Sequence, residues 1–182
     1  MRSTIEYTSV KHKNELLQIL ELQQKNLPIN ISKDEKHKEG FVTVKHDIDI
    51  LSKMNDRQPH IIAKHNDKVV GYTLCMTSDF GNDIEILKPM FAKIEKHLNN
   101  STSYIVMGQV CIDKAYRGKG IFRGLYQTMR NELGEKYDVL ITEVAANNPR
   151  SLRAHYAIGF TDLLIYNTDD EITWHLIQWD WK

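Results

Sequence analysis

A glycine-rich, basic segment, YRGKGIFRG from Tyr116 to Gly124, contains the residue types that point most directly to chemistry. It lies between an apolar run that ends at Ile112 and a segment in which Leu125, Met129 and Leu133 recur at helical spacing. The first amides of a helix have no intrahelical partner, and together with the helix dipole they favour an anion. The segment therefore indicates either a cradle for a phosphate or a plain turn.

The glycines decide which anion sites are compatible with this segment. Gly118 and Gly120 would let a phosphate approach the backbone with no Cβ in the way. A P-loop is excluded because Lys119 is followed by glycine and not by Ser or Thr. A dinucleotide fingerprint is disfavoured because its third glycine would have to stand at Arg123, and Gly124 comes one residue late. Mobile positive charge would come from three side chains: Arg117, Lys119 and Arg123.

The spacing fits a different pattern, R-x-x-G-x-[GA], from Arg117 to Phe122. With QVCI before it and NPRSLRAHYAIGF after it, the segment resembles the GNAT family of N-acetyltransferases. The resemblance implies that the loop binds the pyrophosphate of acetyl-CoA and that the strand before it pairs with the pantetheine arm. Phe122 stands where the family usually has a small residue, and we expect its side chain to turn into the core. The implied contacts with acetyl-CoA are Val110, Cys111, Ile112, Arg117, Gly118, Lys119, Gly120, Ile121, Phe122, Arg123 and Asn148.

The rest of the chain predicts the elements that would hold this loop. Apolar runs on both sides of HNDK predict an antiparallel hairpin, YDVLITEVA predicts a strand, and the segment from Pro149 to Gly159 predicts a short helix. We expect one mixed α/β domain over residues 1–182, and the resemblance implies a mostly antiparallel central sheet flanked by helices, with coenzyme A between two splayed central strands. The tryptophans near the end are expected in the core or at an oligomer edge: Trp174, Trp179 and Trp181.

Acetyl transfer to an amine needs a base, because an alkyl ammonium has a pKa of about 10.4. Glu143 lies five residues before Asn148, and the resemblance implies that it is this base. The alternative is a glutamate on the solvent side of a strand, and alternation alone does not distinguish the two. Polarisation of the thioester carbonyl is expected from backbone amides around Cys111.

The departing thiolate also needs a proton. Four residues before Gly159, where the family usually has a tyrosine, this chain has His155, whose ordinary pKa of about 6.5 suits a proton donor. Tyr156 follows it and is either a second candidate acid or a packing residue, and a proton from solvent is the third alternative. Asn148 could cap the short helix and contact the coenzyme together.

Composition limits the remaining function classes. The 24 basic and 24 acidic residues are interspersed, so neither nucleic acid nor a membrane surface is an expected partner. No apolar stretch approaches the roughly 20 residues that cross a bilayer, and we expect Cys75 and Cys111 to be buried reduced thiols. The chain is therefore predicted to be soluble and cytoplasmic. The histidines show no ligand spacing, so no metal site is expected.

The resemblance to the GNAT family implies an acetyl-CoA-dependent N-acetyltransferase that acts by direct attack in a ternary complex. The acceptor would be a primary amine of a small molecule or a peptide, bound near Gly40 and Phe41 between the first two helices and the terminal hairpin. A non-catalytic acyl-CoA sensor and an enzyme for a longer acyl chain remain alternatives, as do a monomer and a homodimer.

Overall fold

The computed structural model describes residues 4–32, 34, 39 and 41–182; Gly40, expected near the acceptor, lies outside the described residues. The helices are α1 Lys13–Lys25, α2 Ile48–Arg57, α3 Phe80–Asp83, α4 Lys88–His97, α5 Ile121–Leu133 and α6 Pro149–Tyr156. The strands are β1 Ile5–Ser9, β2 Ile61–His65, β3 Lys68–Met76, β4 Tyr104–Ile112, β5 Val139–Ala145, β6 Thr161–Asn167 and β7 Thr173–Asp180. Short 3₁₀ turns cover Glu85–Leu87 and Lys114–Tyr116. The predicted hairpin, strands and short helix are confirmed.

The strands form one seven-stranded sheet in the order β1-β2-β3-β4-β5-β7-β6. Every neighbouring pair is antiparallel except β4 and β5, which are parallel. This confirms the predicted mixed, mostly antiparallel sheet.

The parallel pair separates partway along its length. The register of β4 with β5 covers three residue pairs, from Tyr104 opposite Val139 to Val106 opposite Ile141. Just beyond them, the Thr142 hydroxyl donates a hydrogen bond of 2.8 Å to the carbonyl of Met107. Because β4 continues to Ile112 and β5 to Ala145, both strands present backbone that does not join them in a ladder.

Helices cover both faces of the sheet, and the core is divided accordingly. Leu16 and Ile19 of α1 with Leu51 of α2 pack on one face, and Leu125 and Met129 of α5 pack on the other. The boundaries of α2 follow from its sequence, since the Asp47 carboxylate accepts from the amides of residues 49 and 50 at 3.0 and 2.9 Å, a cap that stabilises a helix by about 1 kcal/mol.

Gly124 explains why the glycine-rich segment has a third glycine. It lies in α5 against β1, where a Cβ would stand 2.3 Å from the ring of Tyr7. Its role is therefore close packing of helix on strand. Trp179 and Trp181 are buried in the cluster beneath α5, as are the aromatic side chains of Tyr126 and Phe160.

Candidate functional site

The loop between β4 and α5 has the backbone that an anion cradle requires. Gly118 and Gly120 have φ angles of 72° and 78°, in the left-handed region that favours glycine. At both positions a Cβ would have no heavy atom within 4 Å, so open space lies in front of the loop. Gly120 is the N-cap of α5, which leaves the amides of the first helical turn without intrahelical partners. A phosphate fits this arrangement of open space and unpaired donors.

A cavity of about 320 Å³ lies in front of the loop. It is bounded by β4, the start of α5, α6 and three residues from the region between α1 and α2, namely Glu39, Phe41 and Val42. Its lining includes every predicted acetyl-CoA contact except Lys119 and Arg123, which are described residues outside the lining. The lining residues are Asn26, Glu39, Phe41, Val42, Val110, Cys111, Ile112, Tyr116, Arg117, Gly118, Gly120, Ile121, Phe122, Asn148, Arg150, Ser151 and Ala154.

Arg117 does not carry the mobile charge that the sequence suggests. Its Nε donates to the carbonyl of Ile112 at 3.2 Å, and its Nη2 donates to Asn26 Oδ1 at 2.6 Å. Its Nη1 lies 3.3 Å from Glu39 Oε2, and the same carboxylate oxygen lies 3.5 Å from Nη2 of Arg150. The guanidinium is therefore held in place at the wall of the cavity, with a carboxylate of the chain beside it.

The side chains of Lys119 and Arg123 also have partners elsewhere. The Lys119 ammonium lies 5.1 Å from the centre of the Tyr116 ring, and Arg123 donates to the carbonyl of Ala157 at 3.2 Å. Both contacts hold the side chains outside the cavity lining. Any contribution of these two residues to an anion would come from the backbone.

Phe122 turns its ring inward, in the orientation predicted from the sequence. The ring centre lies 4.8 Å from that of Tyr126 and 5.1 Å, edge to face, from that of His155. The residue also lines the cavity. A bulky residue is accommodated at this position because its ring extends an aromatic cluster beneath the loop and leaves its amide at the helix start.

His155 is buried and hydrogen-bonded at both ring nitrogens. It is 1% exposed, with Nδ1 2.7 Å from the carbonyl of Ser151 and Nε2 2.6 Å from the Tyr126 hydroxyl. A carbonyl only accepts, so Nδ1 carries the proton and Nε2 accepts from the tyrosine. Burial lowers the pKa of His155 to about 4, since the charged form is desolvated. The neutral ring therefore directs its one N–H at the Ser151 carbonyl, and the role of His155 as proton donor stays a prediction.

Tyr156 is exposed and lies outside the cavity linings. It is 37% exposed, lines neither cavity described here, and donates its hydroxyl to Asp162 Oδ1 at 2.8 Å. Its oxygen is also 3.1 Å from Nδ1 of His175. Desolvation and the neighbouring Asp162 carboxylate raise the pKa of Tyr156 to about 12. Tyr156 thus connects α6 to the terminal hairpin, and its catalytic role stays a prediction.

Glu143 faces a second, smaller cavity of about 70 Å³ and not open solvent. Its carboxylate is half-buried and accepts a hydrogen bond from the Tyr166 hydroxyl. Burial raises the pKa of Glu143, while the Tyr166 hydrogen bond and the charge of Lys93 act in the opposite direction. A carboxylate whose pKa is raised by partial burial is a stronger proton acceptor than an exposed one.

The two cavities adjoin. Residues that line both are Phe41, Val42, Val110, Asn148 and Ser151. The second is also lined by β5 and by Trp174 of β7, so it lies beside the part of the sheet where β4 and β5 separate. The two cavities therefore meet at the separated strands.

Several residues of the site were not identified from the sequence. Tyr166 and Trp174 belong to strand patterns that gave no sign of a cavity, and Glu39 lies in a run of mixed charge. Ser151 follows the short-helix signal, but nothing in its spacing distinguishes it from a solvated position. Each reaches the site through contacts between segments far apart in the chain.

Two further properties hold for the part of the chain that is described. No three His, Cys, Asp or Glu side chains are grouped so that they could hold a metal ion. None of the described helices combines the length and the apolar character needed to cross a bilayer.

Cys75 and Cys111 are buried free thiols, and burial raises the pKa of each to about 12, so neither is a reactive thiolate.

Solved structures with the same fold cover nearly the whole chain. The ribosomal-protein-S18-alanine N-acetyltransferase from Escherichia coli is 13% identical, with a TM-score of 0.65, 97% of this chain and 94% of that chain covered. Arabidopsis thaliana Naa50 in complex with the bisubstrate analogue CoA-Ac-MVNAL is 15% identical, with a TM-score of 0.64 and coverages of 96% and 97%. The yncA protein of Salmonella typhimurium, described with its cofactor acetyl-CoA, is 16% identical, with a TM-score of 0.65 and coverages of 99% and 95%.

Sequence comparison identifies the family directly. Among curated proteins, none matches the sequence significantly. The model of the acetyltransferase (GNAT) family matches residues 16–160, which include the sheet centre, the glycine loop and the short helix α6. This chain belongs to the GNAT family of acetyltransferases.

Proposed function

We propose that this protein transfers an acetyl group from acetyl-CoA directly to a primary amine of a small molecule or a peptide. The observation that carries the proposal is the meeting of two cavities at the separated strands β4 and β5. The open glycine loop faces one of them, and the Glu143 carboxylate faces the other. Acetyl-CoA would supply the activated acyl group as a thioester.

Acetyl-CoA would be bound mainly by backbone groups. The amides around Gly118, Gly120 and Ile121 are open to a pyrophosphate, and the exposed edge of β4 near Val110 and Cys111 is available to the pantetheine arm. The same strand edge would direct amide hydrogens at the thioester oxygen, where negative charge develops during attack.

On the acceptor side, Glu143 would take one proton from the ammonium form of the acceptor. The neutral nitrogen then forms a bond to the acyl carbon as the carbon–sulfur bond breaks, and the N-protonated amide that results gives its extra proton to water. With His155 hydrogen-bonded at both ring nitrogens and Tyr156 outside the cavities, water is the proposed source of the proton for the thiolate. A thiol pKa of about 8.5 makes this step undemanding near neutral pH.

Peptide amino termini are favoured among the acceptors by the relatives. The E. coli structure is that of an enzyme acting on an alanine of ribosomal protein S18, and Naa50 was solved with an analogue that joins CoA to the peptide MVNAL. The cavity beside Glu143 is bordered by Phe41 and Trp174, which offer apolar surface to the first side chain of a peptide.

The proposal is tested by measuring free thiol release with acetyl-CoA against a panel of peptides and small amines. Wild type should turn over at least one peptide, and Glu143→Gln should lose 10²-fold or more of kcat, of the order expected for a general base. A panel of longer acyl-CoA thioesters with the same acceptors tests the donor. Preference for a longer acyl group would replace acetyl-CoA as the donor.

A second candidate, a sensor that binds acyl-CoA without catalysis, is favoured by one observation: neither His155 nor Tyr156 presents a proton to the cavities. Its signature would be a rise in Tm on binding acetyl-CoA, by about 2.7 kcal/mol of stability at one hundred times Kd, with no thiol release on any amine. Absence of that rise would argue against both functions.

A further inference from the structure

Tyr166 is the polar group in closest contact with the Glu143 carboxylate. Its hydroxyl donates a hydrogen bond to Glu143 Oε1, although the two residues lie on strands that do not pair with each other. β7 lies between them, with Leu176 opposite Glu143 and Trp174 opposite Tyr166. The tyrosine therefore reaches diagonally across one strand to the carboxylate.

The register of the terminal hairpin makes this contact geometrically available. Glu143 lies opposite Leu176, and Tyr166 lies opposite Trp174, two residues away along β7. Because side chains alternate along a strand, residues two apart share a face, so Glu143 and Tyr166 lie on the same face of the sheet. The pairing of β6 with β7 thus places the hydroxyl on the side of the half-buried carboxylate.

The ring of Tyr166 also has a charged neighbour. The ammonium of Lys93, in α4, lies 4.2 Å from the ring centre, within the range of a cation–π contact. The ionisable groups around Glu143 are thus Tyr166 from β6, Lys93 from α4 and His155 from α6, which lines the same cavity. Lys93 is the one among these three that carries a positive charge at neutral pH, since His155 is neutral.

We infer that Tyr166 is a positioning residue that fixes the Glu143 carboxylate in the orientation needed to take a proton from the acceptor amine. The inference rests on the proposed function. With Oε1 accepting from Tyr166, the proton from the amine goes to the other oxygen, Oε2, and the pair becomes a neutral carboxylic acid hydrogen-bonded to a neutral phenol. Tyr166 keeps its own proton throughout, so charge and protons balance between amine and carboxylate alone.

The experiment compares Tyr166→Phe with wild type by two measurements. Carbon-13 NMR of the side-chain carboxyl gives the pKa of Glu143, with Glu143→Gln used to assign the signal. The pH dependence of kcat/KM gives the pKa of the base in turnover. Since the lost hydrogen bond favoured the ionised form, both values should rise by about one unit, and kcat should fall about tenfold because the carboxylate loses its fixed orientation.

Tyr104→Phe is the matched control. Tyr104 is another partly buried tyrosine packed against the same hydrophobic cluster, and its hydroxyl does not contact Glu143. Its loss should leave both pKa values and kcat unchanged. In the Glu143→Gln background, Tyr166→Phe should cause no further loss of kcat, because the two residues act as one unit.

The outcomes separate this inference from the proposed function. An unchanged Glu143 pKa in Tyr166→Phe, or an equal loss of kcat with and without Glu143, would overturn the positioning role. If the Glu143 pKa rises in Tyr166→Phe but wild type turns over no amine, the hydrogen bond sets the pKa of Glu143 without a role in catalysis. The proposed function and the catalytic part of the inference would then both be wrong.

Discussion

The Glu39 carboxylate lies 3.3 Å from Nη1 of Arg117, at the wall of the cavity that the glycine loop also faces. A carboxylate of the chain thus stands beside a guanidinium near the site where we propose that a pyrophosphate binds. The Arg117 side chain is 15% exposed and the Glu39 side chain is 32% exposed, so salt screens this ion pair less than it screens a fully exposed one.

The first prediction follows from this pair. Glu39→Gln should strengthen acetyl-CoA binding about three- to tenfold, because it removes a negative charge near the phosphates, and an ion pair of this exposure contributes of the order of 1 kcal/mol. Isothermal titration calorimetry measures the change, with Glu85→Gln as the control because Glu85 pairs with Lys88 at an exposed site. Weaker binding would mean that Glu39 instead holds Arg117 in a productive position.

A second prediction concerns the cradle itself. Gly120→Ala should weaken acetyl-CoA binding at least tenfold, because the φ of 78° is unfavourable for alanine and the new Cβ would project into open space in front of the amides. The loss of stability should be only about 1–2 kcal/mol. Gly108→Ala is the control, since its Cβ would make only ordinary contacts. Unchanged affinity in Gly120→Ala would contradict a backbone cradle.

The third prediction concerns stability and not binding, and it is tested with Gly124→Ala. Alanine normally stabilises a helix by about 1 kcal/mol relative to glycine, but here its Cβ would stand 2.3 Å from the Tyr7 ring. We expect a destabilisation of about 1–3 kcal/mol from overpacking, measured by urea unfolding. Tyr7→Leu in the same chain should recover part of it. A stabilised Gly124→Ala protein would show that β1 moves freely away from α5.

The fourth prediction concerns the two candidates for the general acid. Tyr156→Phe removes a hydroxyl that binds Asp162 outside both cavities, so kcat should stay within about twofold of wild type, as expected for surface positions. His155→Gln should lower the free energy of unfolding through the lost contact with Tyr126, and Tm records that loss. A hundredfold loss of kcat in Tyr156→Phe with unchanged Tm would support Tyr156 as the acid.

Buried histidines give the fifth prediction, a pH dependence of stability. Burial lowers the pKa of His155 and His46 to about 4 and that of His60 to about 3, below the ordinary value of about 6.5. In the unfolded state these rings bind protons first, so the free energy of unfolding is undiminished above pH 6.5 and falls as the pH drops from 6.5 towards 4. Each histidine can contribute a loss of a few kcal/mol across this window.

Urea unfolding at pH 7.5, 6, 5 and 4.5 measures this dependence. The free energy of unfolding of His60→Gln should fall less steeply with decreasing pH than that of wild type, because one proton-binding group is removed from the unfolded state. An equally steep fall in the two proteins would contradict a neutral, buried His60 in the folded protein.

Local signals in the sequence were sufficient for the main elements and for the position of the glycine loop. The HNDK turn and the glycine loop each depend on residues close together in the chain, and each was predicted where the structure has it. Phe122 follows this rule only in part, because its ring contacts Tyr126 of the same helix and also His155 of α6.

The contacts of the His155 and Arg117 side chains were not predictable from motif spacing. The helical position of His155 matched the family's acid, but only the structure shows that its Nε2 accepts a hydrogen bond from the Tyr126 hydroxyl, on another helix. Arg117 kept its place in the pattern, but Asn26 and Glu39 hold its side chain. In each case the partner comes from a different element.

By itself the sequence determined the order of helices and strands, the glycine loop and the family, because propensity, caps and motif spacing are local properties. Only the tertiary structure decided that Glu143 faces a cavity, that Tyr166 reaches it and that His155 is neutral. The physical reason is that burial and hydrogen-bond partners set the ionisation and orientation of a side chain, and both arise from packing between distant segments. The register of β6 with β7, which alternation alone does not predict, sets which side chain meets the carboxylate.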